Sequence, residues 1–131
     1  MATLPNGAGG YQLGDGNLSE VNLSVQSTPV AKTAAATLTA AELANGIITY
    51  SGAVATLTLP TAALTDALVS SAKVNSSFDF AVINIGGTNT VTVAGGTGWT
   101  LVGTATVAAN VSSVWRAVKN GDAAWSVYRL A

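Results

Sequence analysis

From position 47 onward, apolar and polar residues alternate with a period of two in short runs broken by Gly and Asn, the pattern of half-buried β-strands. Ile47 to Ser51 and Ala55 to Leu59 are β-branched runs parted by Ser51-Gly52, which predicts a hairpin. Phe78 to Ile85 sets Phe78, Phe80 and Val82 on one face and Ala81, Ile83 and Ile85 on the other. Both faces are largely apolar, as in a central strand covered on two sides. Thr90 to Val93, Trp99 to Val102 and Thr104 to Val107 come next, divided by Gly95-Gly96 and Gly103. Val111 to Lys119 and Ala124 to Leu130 flank Asn120-Gly121-Asp122, and Asn-Gly is the strongest short-range hairpin signal.

Two segments carry helical signals instead. Thr39-Ala40-Ala41-Glu42 fits a capping box, in which the Thr and Glu side chains satisfy each other's free N–H groups, and Asn45-Gly46 supplies a left-handed stop. Thr61, after Pro60, can cap a second helix from Ala62 to about Ser70, with Leu64 and Leu68 on one face. The body, residues 30–131, therefore reads as all-β: a jelly-roll-like sandwich or small barrel of about eight or nine short strands with one or two short helices.

Residues 1–29 differ. Asn6-Gly7-Ala8-Gly9-Gly10 and Gly14-Asp15-Gly16-Asn17 are turn and flexibility signals, Pro5 and Pro29 bracket the segment, and Leu4, Tyr11, Leu13 and Leu18 obey neither strand nor helix period. This is either a disordered leader or an extended N-terminal arm that orders when its apolar residues find pockets on another protein. Only from Glu20 does alternation return, with Val21, Leu23 and Val25 against Asn22 and Ser24, suggesting one more half-buried strand.

Composition removes several kinds of chemistry. The 131 residues include no Cys and no His, so thiolate metal sites, cysteine nucleophiles and the usual neutral-pH base are missing together. Charged residues make up 8%, against about 25% in an ordinary soluble domain. The formal net charge is −1, and Lys32, Lys73, Arg116, Lys119 and Arg129 never form a run. Nucleic-acid binding, which needs a basic stripe to neutralise phosphates, is not expected, nor is attachment to a membrane. No apolar stretch approaches the roughly 20 residues of a spanning helix, and the first ten residues have neither the basic nor the apolar region of a secretory signal. A chain with half its residues hydrophobic and so few charges is expected to bury surface against copies of itself or a partner.

Candidate sites are weighed against plainer explanations. Gly14-Asp15-Gly16 and Gly95-Gly96-Thr97-Gly98 lack the third Gly, the Lys and the strand–helix context of nucleotide loops, and turns account for them. Asp15 and Asn17 resemble the start of a calcium loop whose twelfth position is Gln26 rather than an acid. The six carboxylates, Asp15, Glu20, Glu42, Asp66, Asp79 and Asp122, are dispersed, so a catalytic acid pair is not indicated, and the many hydroxyls have no evident base. Four Asn-x-Ser sequons, at Asn17, Asn22, Asn75 and Asn110, arise readily in an Asn/Ser-rich chain. Trp99, Trp115, Trp125 and Tyr128 could form a sugar platform, although core and subunit packing are commoner uses of such a row. Trp115, Val118, Trp125 and Val127 are the expected core or subunit-packing residues. No enzyme activity, metal or cofactor is expected.

The opening stretch from Met1 to Glu20, MATLPNGAGGYQLGDGNLSE, resembles the leader of small head decoration (cement) proteins of tailed bacteriophages. The body is similar to β-rich modules of phage virion proteins through Ala55-Thr-Leu-Thr-Leu-Pro60, Phe78-Asp-Phe-Ala-Val-Ile-Asn84 and Trp125-Ser-Val-Tyr-Arg-Leu130. The resemblance implies a homotrimer assembled in the host cytoplasm and seated on the major capsid protein at the outer surface of the virion. There Leu4, Pro5, Tyr11, Leu13 and Leu18 of the arm would bind the capsid. About 29 extended residues at roughly 3.3 Å each reach on the order of 90 Å, enough to span neighbouring subunits. Similar modules also occur in phage fibres, so a fibre or adhesin-like module that binds host-surface glycan is the alternative.

Overall fold

The computed structural model describes residues 23–131. Ten strands and two helices succeed one another in this span. They are β1 (Val30–Lys32), β2 (Ala36–Thr37), α1 (Ala40–Asn45), β3 (Ile47–Tyr50), β4 (Ala55–Thr58), α2 (Ala62–Leu68), β5 (Ser77–Asn84), β6 (Val91–Ala94), β7 (Trp99–Val102), β8 (Thr106–Val107), β9 (Ser112–Gly121) and β10 (Ala124–Arg129). Two sheets result: a six-stranded one ordered β1-β3-β5-β9-β10-β7 and a four-stranded one ordered β2-β4-β6-β8.

Up to β8 the chain alternates between the sheets, one strand in each. Successive circuits stack, so β1–β3–β5 and β2–β4–β6 pair in parallel. The corners stack as well: Ser51 N donates to Lys32 O and Ile85 N to Tyr50 O. On the opposite crossing, Leu38 N donates to Thr58 O and Leu59 N to Ala94 O. The last two strands break the winding. β9 pairs antiparallel with both β5 and β10, and β7 joins β10 in parallel.

The two-sheet, mostly β architecture is as the sequence predicts, but its connections are not. A jelly roll is built of antiparallel Greek keys, whereas most of these ladders are parallel. The hairpin expected from Ile47–Ser51 and Ala55–Leu59 does not form: β3 and β4 lie in different sheets, each aiming its buried residues (Ile48 and Tyr50; Leu57) at the interior. Between them Tyr50 OH donates to Ala53 O, and Gly52 passes so close to the Thr33 carbonyl that a Cβ there would overlap it. The strand expected from Val21 to Val25 is absent over its described part, where Leu23 and Val25 are exposed and carry no strand.

Local signals elsewhere act as expected. Thr39 and Glu42 close the capping box, Glu42 N to Thr39 Oγ1 at 3.1 Å and Thr39 N to Glu42 Oε1 at 3.0 Å, and Gly46 ends α1 with φ +93°. Thr61 Oγ1 caps α2 by accepting from Leu64 N. The face that α2 buries carries Ala62 and Thr65, while Leu64 and Leu68 stay exposed. The β9–β10 reversal turns at Asp122-Ala123, two residues later than Asn120-Gly121 implies, with a register shift after Lys119 and Ala123 in the left-handed region.

The core lies between the sheets. Ile48, Tyr50, Phe80, Val82, Trp115 and Val127 face it from the large sheet; Leu57, Val91, Val93 and Val107 answer from the small one. Each such side chain removed from water contributes roughly 1.5–3 kcal/mol. Leu43 of α1 and Ala62 of α2 join the same cluster. Buried polar groups are paired: Asn84 Nδ2 donates to Asn89 O and Val107 O, tying the sheets together, and Ser113 Oγ donates to Val82 O while accepting from Trp115 Nε1.

Candidate functional site

Titratable side chains are the first place to look for chemistry, and three of the described carboxylates, Glu42, Asp66 and Asp79, are committed to structure. Asp66 on α2 accepts from Ala123 N at 2.6 Å and Trp125 Nε1 at 2.7 Å, and pairs with Lys119 Nζ at 3.1 Å. It thereby clamps the helix onto the β9–β10 hairpin. Those bonds, from the Ala123 amide first and then the indole, hold its carboxyl below the usual aspartate range. Glu42 pairs with Lys32 at 2.8 Å across α1 and β1; the lysine hydrogen bond and the Thr39 amide lower its pKa. Asp79 lies opposite Arg116 on adjacent strands and takes both Nε (2.7 Å) and Nη2 (3.0 Å), which lowers the acid and raises the base.

A general acid at neutral pH needs a carboxyl held protonated, the opposite shift. Among the described residues no three His, Cys, Asp or Glu side chains gather as metal ligands would, and no helix is long and apolar enough to cross a membrane.

Two of the four aromatic residues of the row, Trp115 and Trp125, are core, while Trp99 and Tyr128 are half-buried. Trp115 is 0% exposed and Trp125 is 1%, Phe80 stacks on Trp115 with centroids 6.4 Å apart, and Phe78 meets Trp125 edge-on at 5.6 Å. Trp99 is half-buried 5.7 Å from Trp125 and donates its indole N–H to Pro60 O. Arg129 covers Trp115 from 5.4 Å while its guanidinium donates to Thr104 O and Thr106 O. The indole faces of Trp115 and Trp125 are thus closed to a sugar ring. Val127 is likewise in the core, whereas Val118 points out of the opposite face of β9, half-buried.

Surfaces remain. A groove of about 680 Å³ runs between α2 and the crossings at Thr37–Ala40 and Thr58–Thr61, walled by Pro60, Leu64, Ala67 and Leu68. A smaller cleft of about 210 Å³ opens beside Val69, Ala72, Phe78 and Trp125. The outer face of the six-stranded sheet is the third, and on it Ile47, Ile83, Val114, Val118 and Tyr128 surround the Asp79–Arg116 pair. Trp115 and Val118, expected together as core or subunit-packing residues, lie on opposite faces of β9, Trp115 inward and Val118 outward. That the outward positions would adjoin one another across several strands depends on register, which the sequence does not display.

The arm residues Leu4, Pro5, Tyr11, Leu13 and Leu18 lie outside the described residues. The stretch from Gln26 to Thr28, just before the body, is anchored at the C-terminal end of α1: Gln26 Nε2 donates to Asn45 O and Oδ1, and Asn45 Nδ2 to Thr28 O. Comparison of the chain with family models, curated proteins and solved structures found no match to any of them.

Proposed function

We propose that this chain is a structural virion protein: a homotrimeric cement protein that binds the outside of a bacteriophage's major capsid shell and stabilises it. The observation that carries the reading is the opening MATLPNGAGGYQLGDGNLSE, which resembles the leader of phage head decoration proteins, on a β-rich body with few charges. The structure is compatible with it at two points. The described carboxylates in ion pairs serve the fold rather than a reaction, which suits a protein without catalytic work. The chain enters the body at an exposed segment, residues 23–29, tied down beside α1, so a preceding arm can reach a neighbouring surface. Many copies on a symmetric shell add avidity, so each contact can be weak. The glycan-binding alternative keeps only the half-buried Trp99 and Tyr128 of its proposed platform, because Trp115 and Trp125 are core residues.

The test is addition of the full-length protein to phage capsids lacking it. Saturable binding to their outer surface, with a higher temperature for capsid rupture, is expected. Absence of capsid binding together with retention on host-surface polysaccharide would replace this reading with that of a fibre module.

A further inference from the structure

The outer face of the six-stranded sheet carries large apolar side chains and a single charged pair beside its Ser and Thr positions, among them Thr49 and Ser112 in the row of Ile83. This sheet is mixed, antiparallel only at β5–β9–β10, and a sheet face left open to water normally shows polar residues. Here the register lines up Ile47, Ala81 and Val114 in one row, with Leu130 just beyond, bonded to the Val114 carbonyl. The next row reads Asp79, Arg116, Tyr128 and Val102. A third holds Ser77, Val118, Ser126 and Thr100. Val102 and Leu130 are 50% exposed and Val114 38%, large values for apolar side chains on a sheet.

Charge on this face is confined to one bidentate pair. Arg116 and Asp79 neutralise each other near its centre, and the other charged groups of the six strands lie elsewhere: Lys119 and Arg129 on the inward side of β9 and β10, and Lys32 bonded to Glu42 of α1. Depletion of charge with apolar and aromatic enrichment is the mark of an interface core. With strands about 4.8 Å apart and about 3.4 Å per residue, the face covers on the order of 500 Å² in projection. Side-chain relief brings that toward the roughly 800 Å² each partner gives to a standard interface.

We infer that copies of this chain pack on one another through this face. The occupant is argued from charge. A face with no net charge offers nothing to phosphates or anionic lipid, and nothing to an acidic or basic partner. It does suit its own copy. Three copies can turn this face toward a common three-fold axis, where each sheet meets both neighbours, and the internally neutralised Asp79–Arg116 pair of each copy brings no net charge into the contact. Closed symmetry also explains why the patch need not lead to open-ended aggregation. The inference deepens the trimeric reading and rests on its self-association, though not on the capsid.

Light scattering on the full-length protein at tens of micromolar is expected to give a defined multiple of the chain mass. Val114→Lys should shift it to the monomer mass with an unchanged β circular dichroism spectrum, while Val54→Lys, on an exposed corner outside this face, should leave it assembled. Because Val114→Lys can fail to fold, the chain's lack of Cys supplies a second readout. The thiol of Val114→Cys should react with maleimide at least tenfold more slowly than that of Val54→Cys, and the gap should close on dilution to monomer. A folded Val114→Lys protein that keeps the full assembled mass, or equal thiol rates in the assembled protein, overturns this face as the interface and leaves self-association standing. A monomeric wild-type protein overturns both. If its Val114→Cys thiol is nonetheless protected, the cover is the chain's own residues. Capsid binding, measured separately, is untouched by any of these outcomes.

Discussion

At the scale of single residues, Asp66 does more for this molecule than any other charged side chain among the described residues. One carboxylate satisfies the Ala123 amide, the Trp125 indole and Lys119, three donors from a single hairpin. Replacing it leaves the sheltered Trp125 indole and Lys119 ammonium unpaired, a loss of about 1–3 kcal/mol. The pH dependence has a definite sign. Asp66, Glu42 and Asp79 all have folded pKa values held below their unfolded ones. Their contribution is therefore fully present above the unfolded carboxylate range near about 4, and is lost as pH falls through the folded values. Thermal unfolding should be flat from pH 7 to about pH 5 and drop below about pH 4. Asp66→Asn should melt lower at neutral pH, and the gap to wild type should narrow in strong acid. A constant gap across that range would mean the lost interaction is not that of a carboxylate.

Elements that depend on local chemistry were legible from the sequence, and those that depend on distant partners were not. The capping box, the Gly46 stop and the last hairpin are each specified within a few residues. α1 has six residues, too few to persist alone; its cap and Leu43 hold it on the body. Thr39→Ala should therefore cost about 0.5–2 kcal/mol by chemical denaturation, and Thr39→Ser should restore most of it. No change in midpoint for Thr39→Ala would show that burial of Leu43 suffices without the cap. The pair at 47–59 failed for a different reason. Period-two alternation tells which side of a strand is buried, and is silent on which strand lies beside it. A Gly-containing corner between two strands looks the same whether the chain folds back in one sheet or crosses to the other. The outer-face patch was hidden for that reason too, since Val114, Val102 and Leu130 become neighbours only through β9, β10 and β7.

For the whole molecule, the question is whether the body and the arm divide the work. Among the described residues the buried core cluster runs from Leu38 to Val127, and the anchoring contacts ahead of it begin at Gln26. A deletion confined to the first 18 residues removes none of those side chains. Ordering a free arm costs about 1–2 kcal/mol for each backbone residue fixed. Leu4, Tyr11, Leu13 and Leu18, spaced along a Gly-rich segment, could offset that cost by entering apolar pockets on a capsid, especially where several arms bind together. Deleting residues 1–18 should therefore leave the circular dichroism spectrum and assembled mass of the body unchanged while strongly weakening attachment to decoration-free capsids. Tyr11→Ala and Leu13→Ala should each weaken it in part. The comparison is a co-sedimentation of intact and shortened protein with such capsids. If the shortened protein binds as tightly as the intact one, docking belongs to the body, and the apolar groove walled by Pro60, Leu64 and Leu68 becomes the surface to mutate next.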